Sequence, residues 1–377
     1  MKSYLRNYLF IILLSVSLLF CAGGKPGPNL SVEALPQYDA LFSNKYGWTG
    51  GDGVYSVLLN QDTIAWFFGD TWIGQLKNGQ HVNATLVNNS VAIQHGKSPD
   101  LAKMDYYFGR AADGSPAAWI RPADGRGWFW VFDGVMTAEG LSFFLIQVER
   151  TAGDAVFDFK VIGAWLGQVD NPKDPPWQWR IRQFKIPWAE FSVSRSILWG
   201  SAVIQVKDFL YIYGTTEDRQ NAVHQKHMIL ARVPVSTLAD FSRWRFYADG
   251  NWVSDFTRAS RLCENMPHEY SVSYLPALKK YAVIYSQDGL SKNILARLSA
   301  EPQGSWSDPI QLYQCPEADW DDSIFCYAAK AHAILSEVPD ELVITYIANS
   351  VDFNKTANDA RLYRPRFLRV TFNLKKK

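Results

Sequence analysis

The chain has 377 residues, of which 47% are hydrophobic and 20% charged, with a formal net charge of +1. This balance excludes a disordered chain and leaves no basic excess for nucleic acid. Aromatic residues reach 15%, which points to a β protein, a sugar-binding surface, or both.

Residues 1–20 read as a secretory signal. Lys2 and Arg6 precede the apolar runs Leu9–Leu14 and Val16–Phe20. Cys21 follows at once, so Leu18-Leu19-Phe20-Cys21 resembles a bacterial lipobox, in which the Cys is lipidated. Phe20 stands where a small residue is usual, and a plain cleaved signal is the alternative. The expected location is the bacterial cell envelope, on a membrane anchor at Cys21, or otherwise the periplasm or the medium. Residues 21–38, with Gly23, Gly24, Pro26 and Pro28, read as a flexible tether. Residues 39–377 then form one domain.

From residue 50 onward the chain shows short apolar-aromatic runs broken by Gly, Asp, Asn and Pro, the pattern of an all-β fold. One unit recurs: a strand rich in small residues, a turn, then a bulky apolar strand ending in a polar group. It is seen at 52–59 with 64–70, at 128–134 with 142–149, at 200–204 with 209–214, at 270–274 with 281–286, and at 327–333 with 342–346. Further strands fit the gaps at 157–165, 228–233, 294–298 and 367–372. Repeats of this size hold about four strands each, as β-propeller blades do. The expected fold is a five-bladed β-propeller, with a two-sheet sandwich or jelly roll as the alternative.

In a propeller the polar groups at the entry of each inner strand and the exit of each second strand gather at one mouth. Asp52 enters the first unit and Asp70 ends its second strand, 18 residues later, while Glu269 opens the fourth unit. Two acids at one sheet edge fit glycoside hydrolysis. That reaction needs one protonated carboxyl for the leaving oxygen and one ionised carboxylate as nucleophile or base. Close carboxyls separate their own pKa values and so provide both states. Asp133 reads as a hairpin turn. Trp48, Tyr55 and Trp72 flank the acids and offer either sugar-stacking faces or blade packing. His268 reads as a substrate or carboxylate partner, with a structural histidine as the alternative, and His332 reads as lining the axial channel or holding a water or a structural cation there. No cofactor or catalytic metal is called for. Asp319, Asp321 and Asp322 read as a solvated loop rather than a calcium site. Cys315 and Cys326 either pair as a disulfide or stay reduced.

Three segments carry a family resemblance: Gly51-Asp52-Gly53-Val54-Tyr55-Ser56, Trp66-Phe67-Phe68-Gly69-Asp70-Thr71, and Tyr327-Ala328-Ala329-Lys330-Ala331-His332. With them the chain resembles five-bladed propeller glycosidases of the arabinanase and fructosidase type. It is more closely similar to bacterial domains of initially unknown function that include endo-D-arabinanases, over roughly residues 40 to 373. The resemblance implies that Asp52 and Asp70 are catalytic acids in an axial pocket. The expected partner is a carbohydrate substrate, and the expected state is a monomer. The competing readings are a non-catalytic surface propeller that binds glycan or protein, and a structural envelope lipoprotein.

Overall fold

The computed structural model describes residues 29–153, 158–220 and 225–373. The signal, Cys21 and the first part of the tether lie outside the described residues. Within them the chain is almost entirely β. Its strands form seven antiparallel sheets, five of which have four or more strands.

Each of these five is a meander. The first runs Tyr55–Leu58, Thr63–Phe68, Ser90–His95, Lys103–Tyr107. The second runs Trp128–Thr137, Gly140–Arg150, Phe159–Val169, Ile181–Lys185. The third contains Arg195–Val206, Phe209–Asp218 and Lys226–Pro234, with three short strands at its edges. The fourth runs Tyr270–Leu275, Lys280–Ser286, Asn293–Ser299, Ile310–Gln314. The fifth runs Ile324–Ala331, Glu341–Ser350, Pro365–Asn373. Every strand pair expected from the recurring unit is present.

Bulky apolar residues alternate on both faces of the second and third strands, and the four apolar clusters lie between sheets. One spans the first three meanders, one the third and fourth, one the fourth and fifth. The last joins the fifth meander to the first through Phe42, Trp66 and Phe367. The order of packing therefore closes into a ring. The first strand of each meander faces the axis, where a cavity of about 370 Å³ is lined by all five.

Two expectations change. The tether is not free as far as residue 38. Asn29–Ala34 is a strand, paired in register with Pro365–Asn373 as the outer strand of the fifth meander. The helix Pro36–Leu41 then buries Tyr38. The physical reason is that Leu30 and Val32 alternate with polar residues and cover the cluster between the fourth and fifth meanders. In addition, Tyr46–Gly51 belongs to a separate sheet with Thr71–Lys77 and Gln80–Val87, which rises from the hairpin that carries the acids. Cys315 and Cys326 are both buried, free thiols. No helix of the described residues is long and apolar enough to cross a membrane.

Candidate active site

The backbone itself brings Asp52 and Asp70 together. The Asp52 N–H donates to the Asp70 carbonyl at 3.2 Å, and the Gly69 N–H donates to the Asp52 carbonyl at 3.0 Å. Gly53 turns the chain at φ +77, and Val54 follows at φ +55. A β-branched residue there is a true outlier, so local strain is stored next to an acid. Gly69 leaves room for the Asp52 carboxyl: a Cβ at residue 69 would lie 2.4 Å from Asp52 Oδ1. Gly69→Ala is therefore expected to displace that carboxyl and lower any activity that needs it at least tenfold, with an unchanged circular dichroism spectrum. Wild-type turnover in this variant would remove Asp52 from the chemistry.

Each acid has its own donors. Asp52 Oδ2 accepts from the hydroxyls of Tyr327 at 2.6 Å and Tyr363 at 2.9 Å. Asp70 Oδ1 accepts from the Trp130 indole at 2.9 Å and from Asn88 at 3.4 Å. These donors favour the ionised forms, but burial outweighs them. Burial, then the Asp70 and Glu269 charges, push Asp52 up to about 8. Burial pushes Asp70 up to about 6 against the pull of Trp130 and Asn88. Asp52 is thus raised further than Asp70, the separation that gives one member a proton to donate while the other is ionised.

Two further acids and one base complete the cluster. Glu269 Oε1 accepts from Lys330 Nζ at 3.0 Å; the lysine side chain is 1% exposed, whereas the Glu269 side chain is 25% exposed and open to the mouth. Asp133 is not a hairpin turn. It sits at a bulge within Trp128–Thr137 and accepts from the Gly134 and Val203 N–H groups. Burial pushes it up to about 7. Burial lowers the Lys330 pKa, opposed by Glu269, Asp52 and Asp133.

The expected aromatic and histidine partners divide. Tyr55 lies in the cluster, with its ring 4.5 Å from the Lys330 ammonium and its hydroxyl without a partner. Of the two readings of Trp48, packing holds and sugar stacking does not: it is 1% exposed, and its ring is covered by Phe42, Phe68 and Tyr106. Trp72 is 6% exposed, stacked on His81 and packed at a tilt against Phe353, so it too is a packing residue. His268 bonds Thr215 and burial pushes its pKa down to about 3, so it is neutral. His332 lines the axial cavity, with one ring nitrogen on Ser56 at 2.7 Å and the other on Thr345 at 2.8 Å. Both nitrogens are committed, which leaves none for a cation. Among the described residues no three His, Cys, Asp or Glu side chains form a metal-holding group. Asp319 and Asp321 are ion-paired to Lys292 and Lys355.

A family model matches residues 36–373, nearly the whole of the described chain, under the description domain of unknown function DUF5005. The chain belongs to that family. Among solved structures it shares its fold with a Bacteroides ovatus protein provisionally described as a hydrolase, at 22% identity, a TM-score of 0.71 and 90% coverage of both chains. More distant matches include a thermostable family-43 glycoside hydrolase, at 14% identity, a TM-score of 0.47 and coverage of 87% of this chain and 91% of that one. The catalytic domain of a Coprinopsis cinerea GH62 α-L-arabinofuranosidase is matched at 10% identity, a TM-score of 0.46 and coverage of 87% and 97%. No curated protein matches.

Proposed function

We propose that this protein is an exported glycoside hydrolase of a five-bladed propeller architecture, whose acid pair at the axial mouth cleaves a polysaccharide or oligosaccharide. The five meanders are its blades, and Asn29–Ala34 closes the fifth. The observation that carries the reading is the Asp52–Asp70 pair, two buried carboxyls on one hairpin, each with its own donors and each pushed upward by burial. A glycosidase uses such a pair: the protonated member delivers its proton to the leaving oxygen, and the ionised member acts as nucleophile or as base for water. Glu269 assists from the facing meander. The Bacteroides ovatus protein of the same fold is described in hydrolase terms, in keeping with this reading.

A panel of furanosidic and pyranosidic polysaccharides, arabinans included, with reducing-end detection, tests it. New reducing ends from at least one glycan are expected with wild type and none with Asp52→Asn. Saturable glycan binding without product would instead favour the non-catalytic surface protein. The N-terminal reading belongs to the same proposal: Cys21 is lipidated and anchors the protein in the cell envelope. Cys21→Ala should move it from the membrane fraction to the soluble one, and an unchanged distribution would refute the anchor.

A further inference from the structure

Three axis-facing strands carry a bulge: between Val131 and Gly134, between Trp199 and Ala202, and between Tyr327 and Lys330. A bulge adds one residue to a strand and re-aims its neighbours. In the fifth meander Ala328 adopts φ +58. Two N–H groups of this stretch turn to the fourth meander instead: Ala329 donates to Ser286 Oγ at 3.2 Å and Ala331 to Ser271 Oγ at 2.7 Å. As a result the strand and the residue after it send three side chains to the axis: Tyr327 to Asp52, Lys330 to Glu269 and His332 to Ser56.

Lys330 has the most constrained place of the three. Its ammonium donates to Glu269 Oε1 at 3.0 Å and to the Ala328 carbonyl at 2.9 Å, and lies over the Tyr55 ring. Asp133 and Asp52 face it from the second and first meanders, and the neutral His332 follows just after its own strand. The bond to Ala328 ties the ammonium to the bulge that delivers it. A fully buried ammonium is costly unless it is paired, so its position implies a task that apolar packing would not perform.

We propose that Lys330 is a positioning residue for Glu269 beside the acid pair: it clamps Glu269 at the mouth, leaving one Glu269 oxygen free to face Asp52 and the substrate. The proposal rests on the hydrolase reading for its kinetic consequence and on geometry alone for the clamp. The mouth and the axial cavity meet at this lysine, so its loss loosens the mouth from below. Glu269 would then swing toward solvent, because its remaining surroundings are open on that side.

The clamp is tested by crystal structures of Lys330→Met and of the double variant Lys330→Met/Glu269→Gln. The double variant removes both charges, so it keeps a folded form to measure if the single variant does not fold. Residue 269 displaced by more than about 1 Å in either variant, with the bulge retained, supports the clamp. Residue 269 in its original place in both overturns it. On whichever glycan the wild type cleaves, kcat should fall about a hundredfold in Lys330→Met while KM changes less than threefold. Adding Glu269→Gln to Lys330→Met should cost nothing more. Ethylammonium should restore part of kcat to Lys330→Ala, and tetramethylammonium should not. A merely structural lysine would lower the melting temperature with kcat intact, and that pattern overturns the proposal. If no glycan is cleaved the hydrolase reading fails, while the crystal structures still decide the clamp.

Discussion

Asp52→Asn and Asp70→Asn should each reduce glycan hydrolysis by about a thousandfold or more, because each removes one of two groups that act as a unit. The activity of the wild type should follow a bell in pH, with limbs near 6 and 8, the values to which burial pushes Asp70 and Asp52. Initial rates from pH 4 to 10 check this. A flat profile across that range would contradict the assignment of separate acid and base roles to Asp52 and Asp70.

The same residues carry a stability signature of opposite direction. Asp52 has an ordinary value of 3.8 and is pushed up to about 8 in the fold. Between those values the folded chain keeps a proton that the unfolded chain has released, so stability falls as pH rises through that window. Asp52→Asn cannot titrate and is spared the cost. It should melt a few degrees above wild type at pH 8, with the gap closing toward pH 4. Parallel melting curves for the two proteins would show that Asp52 ionises normally. Loss of activity joined to gain of stability is the pattern of a site held against its own folding preference.

What the sequence made legible was governed by local periodicity. The recurring pair of strands, the hairpin with Asp52 and Asp70, and the approach of Glu269 all follow from alternation and from strand ends. Lys330 and Asp133 were hidden because a bulge is a change of register, and alternation read strictly sends such residues to the wrong face. The small residues Ala328, Ala329 and Gly134 were the available signal. Tyr363 reaches Asp52 across 311 positions, in a loop with no pattern of its own. Trp48 shows the converse limit: nearness in sequence to the acids left sugar stacking and packing equally open, and only the rings of Phe42, Phe68 and Tyr106 around it decide for packing.

The N-terminal strand shows why composition misled. Glycines and prolines before residue 29 suggested a tether, and the Leu30-Ser31-Val32 alternation was too short to outweigh them. Truncation tests what the structure assigns to it. A chain starting at Pro36 loses six residues of register with Pro365–Asn373, the Leu35 N–H bond to the Phe367 carbonyl at 2.9 Å, and the Arg369–Glu33 pair. It also uncovers one edge of Pro365–Asn373, where Leu368, Val370 and Phe372 are at most 2% exposed. Burial of Leu30 and Val32 is worth about 1–3 kcal/mol each, and an opened sheet edge invites pairing between chains. The melting temperature should drop by roughly 10 °C, with concentration-dependent association. A chain starting at Asn29 should melt like the full-length protein. A synthetic peptide of residues 28–35 should restore part of the loss by adding back the missing strand. If the chain starting at Pro36 melts like the one starting at Asn29, the fifth meander holds without its outer strand and the ring is closed by side-chain packing around Phe42, Trp66 and Phe367 alone.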